Sequence, residues 1–364
     1  MPEWAQGIVT GALRGAISLP LVVGLRTARE LAGGAGRLFA QMPFNKRHVR
    51  RAMDNLAIAY PQWDQDRRHA YAIASYQHLC QLGVELAYTP RLINHDGWSA
   101  HVGLGNVSPA LTALLRGGPC VLVTGHCGNW ELVGYTVSML GFPMQAVYRP
   151  LDLKPLDAWV RESRERRGLT LVSKFGAVKA LPEGMQRGVP AGLVADQNGG
   201  DYGVFVPFFG RLTSTYKSIG LLAMQFNATV ICGLARRLEP TEPAPRSSLL
   251  SLQQGGLRYS IEVVDLFGPE AWESQPDRLF YITARYRRSI ESMVRRVPDQ
   301  YLWMHRIWRS RPLHERKDRE FPGLLRSKLE ALPWMTQGEL DALIARSDDD
   351  RALIRAKADH GFRV

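Results

Sequence analysis

From residue 119 to about 265, short apolar runs rich in β-branched residues alternate with stretches of helical periodicity. The runs at 121–124, 144–148, 169–172, 191–195, 229–235 and 257–264 are predicted strands. The stretches at 131–140, 155–167, 177–187 and 214–227 are predicted helices. Such alternation specifies an α/β domain with a mostly parallel central sheet flanked by helices. Helices are predicted before it at 45–60, at 64–89, where Pro90 follows, and at 107–116, capped by Asn106 or Ser108. After it the pattern is a basic helix at 276–296, an aromatic and basic segment at 298–312, and a polar tail. In the tail, Thr336 and Glu339 have capping-box spacing, and a second short helix is predicted to begin at Ser347. The chain therefore divides into a helical lead-in at 1–100, the α/β domain at 101–312 and a short helical tail at 313–364.

The 364 residues carry a formal charge of +12. A basic balance of this size calls for an anionic partner: nucleic acid, an acidic membrane surface, a phosphorylated substrate or an acidic carrier protein. No nucleic-acid-binding motif of recognised spacing appears. The four cysteines, Cys80, Cys120, Cys127 and Cys232, form no CxxC and no zinc-finger spacing with histidine, so free thiols are expected and no metal. Residues 7–39 are poor in acids and interrupted by Arg14, Arg26, Arg29 and Arg37. Their longest uncharged run, 15–25, is shorter than the ~20 residues a membrane span needs. The segment reads as an amphipathic helix or helical hairpin seeking a membrane surface, or as an ordinary helix packed on the domain.

The stretch with the most chemistry is 121–131, VLVTGHCGNWE. A buried strand ends at Gly125, and His126 sits where the strand turns into a helix, with Glu131 in the first helical turn. Amides at a helix start are unpaired, and an acid within reach of the imidazole fixes its tautomer. Cys127 beside His126 raises a Cys/His nucleophile as an alternative. In parallel sheets ligands bind at the C-terminal strand ends; His126 and Asp196 both follow strands directly and are expected to share that edge. Tyr148-Arg149-Pro150 closes the next strand. The helix after it carries Arg161, Arg164, Arg166 and Arg167, a guanidinium set suited to phosphate or simply a solvated face. Asp196-Gln197-Asn198 is a polar cluster ending an apolar strand, a binding group or an Asx turn. The aromatic run at 204–210, with Phe208, reads as the wall of an apolar slot or as core, and Thr213, Ser214 and Thr215 as the cap of the next helix.

Taken together, GHCGNWE at 125–131, YRP at 148–150, DQN at 196–198, VFVPFFG at 204–210 and PDQYLWMHRIWRSRP at 298–312 resemble the lipid A biosynthesis (lauroyl/myristoyl) acyltransferases, within the lysophospholipid and glycerolipid acyltransferase superfamily. The resemblance covers about residues 5 to 312. It implies transfer of an acyl chain from acyl carrier protein to a hydroxyl of a lipid A precursor, at the cytoplasmic face of the inner membrane, without a cofactor. A related acceptor, such as a lysophospholipid, and an acyl-CoA donor stay open. The implied roles are His126 as general base, Glu131 as its orienting acid, and amides near Gly128 and Asn129, or an arginine, as oxyanion donors. Arg164 (with Arg166 and Arg167 as alternatives) and Asp196 would form a second charged pair that binds substrate, aided by Arg149 and Gln197. Phe208 and its neighbours would hold the acyl chain. Arg306, Arg309 and Arg311, with Trp303 and Trp308, suit an anionic membrane surface.

Overall fold

The computed structural model describes residues 20–165, 168–239, 242, 243 and 256–359, with Gly7, Gly11 and Gly15. Seven strands form one sheet in the order β1-β9-β8-β2-β5-β3-β4. They are β1 (Val102–Leu104), β2 (Cys120–Thr124), β3 (Met144–Tyr148), β4 (Leu169–Ser173), β5 (Ala191–Val194), β8 (Thr229–Arg237) and β9 (Tyr259–Phe267). Only the β8–β9 pairing is antiparallel; the others are parallel. The expected mostly parallel sheet is therefore present, with β1 added at an edge. It is three residues long, too short for a periodic signal.

On one face of the sheet lie α4 (Ser108–Leu115) and α5 (Trp130–Met139), packed on Leu122, Met144, Leu171 and Ile231. On the other face lie α8 (Ser218–Phe226), α9 (Arg278–Arg296) and a two-stranded ribbon, β6 (Val204–Phe208) and β7 (Arg211–Thr215), packed on Val121, Val123, Val230 and Cys232. β2 is buried at all five positions because both its faces are covered.

The ribbon corrects two expectations. Thr213, Ser214 and Thr215 are fully buried strand residues, not a helix cap. α8 begins after Lys217, with no side-chain cap. Phe208 is 0% exposed, with the Arg287 guanidinium 3.9 Å above its ring, so it is a core residue.

Before the sheet come the long helices α1 (Leu25–Gln41), α2 (Lys46–Ala59) and α3 (Gln65–Leu92). α3 runs through Pro90 instead of ending there. α1 crosses α3 closely enough that a Cβ on Gly36 would lie 2.6 Å from the Tyr76 carbonyl oxygen. Its small face packs inward while Leu31, Leu38 and Phe39 remain exposed beside Arg37. Among the described residues, no helix is long and apolar enough to cross a membrane. Most of residues 1–19 lie outside the described set.

The tail holds α10 (Gly323–Glu330) and one long helix, α11 (Gln337–Asp359), so the two short helices expected there are corrected. Thr336 and Glu339 do form the capping box. Ser347 lies inside α11, where it donates to the Glu315 carboxylate and contacts His314. Asp350, also on α11, is buried between Arg211 of β7 and Arg311, at 2.7 and 2.8 Å. Removing one member of a buried ion cluster strands the rest. Asp350→Ala is expected to lower stability by about 3 kcal/mol in urea unfolding, while Asp349→Ala, on the exposed face of the same helix, leaves it unchanged. Equal effects would mean that the tail is not held through this charge.

Candidate active site

β2 and β5 are neighbours in parallel register, Thr124 opposite Val194. The residues that follow them, His126 and Asp196, therefore meet at one sheet edge. His126 Nδ1 donates to Asp196 Oδ1 at 2.6 Å, a charge-assisted bond that leaves Nε2 as the lone-pair nitrogen. The imidazole is 18% exposed and the carboxylate fully buried. Burial alone would raise the Asp196 carboxyl, but the charge and hydrogen bond of His126, with His305 and Arg287 nearby, hold it below the ordinary carboxylate range.

The partners expected for these residues are exchanged. Glu131 does not orient His126; it pairs with Arg164 at 2.5 Å. Position +5 falls in the first turn of α5, after the chain has reversed at Gly128, and the Glu131 side chain turns toward Arg164 on α6 (Lys154–Glu165). The Arg164–Asp196 pair is likewise replaced, since Asp196 holds His126. Arg166 and Arg167 lie outside the described residues. Arg149 and Gln197 are exposed at the ends of β3 and β5, on the same edge as His126.

The turn after His126 is clamped. Gly128 has φ +58°, and a Cβ there would sit 2.1 Å from the Ala235 carbonyl oxygen, so glycine is required. The Gly128 amide donates to the Gln300 carbonyl and the Asn129 amide to that of Ala235. Both amides are consumed, which corrects their expected role as oxyanion donors. The Asn129 side chain caps α5 by accepting from the Leu132 amide, and donates to the Glu85 carboxylate. Glu85 is fully buried among Arg237, Arg29 and Tyr259. Cys127 is also fully buried, and burial pushes its thiol far above the range of a nucleophile.

The segment 300–302 runs beside 126–128 through Gly128 N–H to Gln300 O and Leu302 N–H to His126 O. It delivers His305, whose ring stands edge-on to that of His126 at 4.7 Å, with Nδ1 4.0 Å from Asp196 Oδ2. Asn55 of α2 fixes this segment by donating to the Trp303 and His305 carbonyls. Trp130 closes the other side of His126 at 4.8 Å. His126, Asp196 and His305 bring their ligating atoms within 4.8 Å of one another, and the Arg287 guanidinium acts on Asp196 from within the core, which disfavours a cation there. Of the arginines expected at a surface, Arg306 and Arg309 are exposed, whereas Arg311, Trp303 and Trp308 are buried. Arg311 is held by Glu315 and Asp350, and Trp303 donates to the Pro298 carbonyl. Sequence reasoning passed over His305, Arg287 and Glu85 as site residues. His305 lay in plain view two residues after Trp303, but nothing local says that its segment pairs with the His126 turn.

Beside this centre, an apolar cavity lies between the sheet and α4/α5. Thr124, Trp130, Val147 and Val194 line it at the C-terminal strand edge. Leu114, Leu122, Val137, Leu140, Met144 and Ile231 continue it inward. From Trp130 to Leu140 the chain rises about 15 Å.

A histidine–carboxylate pair at the C-terminal edge of a parallel sheet, next to an apolar cavity lined by Thr124, Trp130 and Val194, is the arrangement of an enzyme site. Residues 4–310 match the family of bacterial lipid A biosynthesis acyltransferases, and the chain belongs to that family; it is an O-acyltransferase. It is 24% identical over 278 residues to a lipid A biosynthesis palmitoleoyltransferase of Escherichia coli, covering 75% of this chain and 82% of the relative. It is 23% identical over 318 residues to an Escherichia coli lipid A biosynthesis lauroyltransferase, covering 85% and 92%. A Haemophilus influenzae lipid A biosynthesis acyltransferase is 23% identical over 271 residues, covering 73% and 77%.

Burial and the neighbouring His126 push His305 down to about 4. An unfolded histidine titrates near ~6.5, so as pH falls from there toward 4 the unfolded chain takes up the proton first. His305 therefore withdraws stability across that window, on the order of 3 kcal/mol, with the loss complete below about 4. His305→Gln is expected to flatten the stability–pH curve between 6.5 and 4; a curve as steep as the parent's would refute the assignment.

Proposed function

We propose that the chain moves a fatty acyl group from an acyl carrier protein thioester to a hydroxyl of a lipid A precursor at the cytoplasmic face of the inner membrane. The observation that carries this reading is the apolar cavity lined by Thr124, Trp130 and Val194, which flank His126 and Asp196 in the chain. The names of the relatives and the family support the acceptor.

His126 Nε2 takes the proton of the acceptor hydroxyl as its oxygen attacks the thioester carbonyl. The oxygen–carbon bond forms, the carbon–sulfur bond breaks, and the imidazolium returns the proton to the departing thiolate. Asp196 holds the tautomer and stabilises the imidazolium, the part an acid plays in a hydrolase triad. No acyl-enzyme forms. Of the first turn of α5, the Leu132 and Val133 amides are taken up by Asn129, which leaves those of Trp130 and Glu131, at the helix start beside His126, to meet developing negative charge. Arg164, presented by Glu131, and Arg149 supply positive charge for the acceptor's phosphates. The acyl chain lies in the slot between the sheet and α5. The net charge of +12 suits an acidic carrier and a phosphorylated lipid.

The test is transfer from acyl carrier proteins of several chain lengths to a tetra-acylated lipid A precursor, read by mass. His126→Ala and Asp196→Asn are expected to lower kcat by about 10²–10⁴ with KM near the parental value. Glu131→Ala, which releases Arg164, is expected to raise KM for the phosphorylated acceptor. Parental rates in the first two variants would overturn the mechanism. Acylation of lysophospholipid alone would overturn the acceptor.

Gly134 lines the slot, and a Cβ there would meet only ordinary contacts at 3.8 Å or more. Gly134→Leu is expected to shift transfer toward shorter chains at unchanged folding. An unaltered chain-length profile would place the acyl chain elsewhere.

A further inference from the structure

The turn between β4 and α7 (Ala177–Gln186), with the first residues of that helix, reads Lys174-Phe-Gly-Ala-Val-Lys179. Phe175 is 81% exposed and Val178 91%, with a lysine on each flank. Single exposed apolar residues are ordinary. Two large ones at the tip of one turn, almost wholly in water, are a concentrated apolar liability.

The turn is well braced. Gly176 N–H donates to the Ser173 carbonyl, Lys179 N–H to that of Gly176, and Lys174 N–H to that of Tyr148. That last bond ties it to the loop after β3, where Arg149, Leu151 and Lys154 are also exposed. Both loops leave the C-terminal edge of the sheet, the edge that carries His126 and Asp196. β4 lies two strands from β5, so the turn stands on the order of 10 Å from Asp196 along that edge. The Lys174 ammonium lies 4.8 Å from the Phe175 ring. A short apolar tip flanked by two lysines, Lys174 and Lys179, the latter 3.9 Å from the Glu183 carboxylate, on a rigid turn, matches the boundary of a bilayer, where side chains bury their apolar parts and keep charge at the headgroups. The N-terminus of α7 points its unpaired amides the same way, toward negative charge.

We infer that Phe175 and Val178 form a wedge that enters an anionic lipid bilayer, with Lys174 and Lys179 at the headgroups, and so turns the catalytic edge of the sheet toward the membrane. This extends the proposed reaction to its surface and rests on that reading only for where the acceptor lies. The wedge lies on a different part of the chain from the exposed apolar residues of α1, so each can be removed without the other.

The experiment is flotation of the full chain with vesicles of phosphatidylcholine alone and of phosphatidylcholine with phosphatidylglycerol, beside acyl transfer to detergent-dispersed acceptor. The double variant Phe175→Ser, Val178→Ser is expected to bind mixed vesicles at least tenfold more weakly and to transfer acyl chains to dispersed acceptor at the parental rate. Lys174→Ser with Lys179→Ser is expected to remove most of the preference for the anionic lipid. Phe175→Trp is expected to gain emission that brominated lipids quench beyond the parent's own tryptophans. Unchanged vesicle binding in the double variant overturns the wedge. So does equal loss of transfer to dispersed acceptor, which would make the turn part of the catalytic structure, and so does a smaller molar mass than the parent's in light scattering, which would make it a contact between copies. Vesicle binding that depends on Phe175 and Val178 in a protein that transfers no acyl chain would uphold the wedge and overturn the reaction.

Discussion

The parallel register of β2 against β5 is the constraint on which the rest depends. The two strands are seventy residues apart in the chain, yet their ends coincide, and that coincidence places the Asp196 carboxylate 2.6 Å from the His126 ring. A carboxylate buried this deeply is tolerated because it is hydrogen-bonded and faced by positive or polarisable groups. His126 takes one oxygen, and His305 and Arg287 stand around it. Arg287 is itself buried, spread over the Phe208 ring and donating to the Ala195 carbonyl. The aromatic run at 204–210 thus serves the site from behind, by seating the cation that steadies Asp196.

A second buried charge cluster holds the other end of the same turn. Glu85 gathers Arg29 from α1, Arg237 from β8, Tyr259 from β9 and Asn129 from the turn itself. Breaking such a cluster typically costs about 3–5 kcal/mol, which is large against the stability of a whole domain. The helices before the sheet are in this way part of the scaffold that holds the His126–Asp196 pair. α3 supplies Glu85 and His78, which meets the Gly128 carbonyl, and α2 supplies Asn55, which holds the segment carrying His305. The tail beyond Pro312 is anchored by similar means, through Asp350 to Arg211 and Arg311.

Charge here works at two depths. Within the fold, arginines such as Arg237, Arg287 and Arg311 are matched to carboxylates, carbonyls or rings. At the surface, Arg149, Lys174, Lys179, Arg306 and Arg309 remain exposed, and these give the excess of +12 its outward meaning. A count of basic residues mixes the two populations, and this is why Arg311 and its tryptophan neighbours read from sequence as a membrane face yet lie in the core.

The alternation of apolar runs and helical periodicity was enough to specify an α/β sheet and most of its elements, because burial on both faces of a strand and on one face of a helix is written in local order. The position of His126 at a strand end, and of Asp196 at another, was legible for the same reason. Strand neighbours were not, since β2 pairs with β5 and β8 rather than with the strand that follows it. Hence the acid nearest in sequence, Glu131, looked like the partner, while the acid nearest in space is Asp196. The ribbon of β6 and β7 escaped notice because β6 is apolar at its outward as well as its inward positions, and β7 carries Thr213, Ser214 and Thr215, polar residues that read as a helix cap yet are buried. Local order determined that His126 and Asp196 stand at the C-terminal ends of strands. Only tertiary packing decided which carboxylate meets which cation, because that depends on the lateral order of strands, which no local pattern encodes.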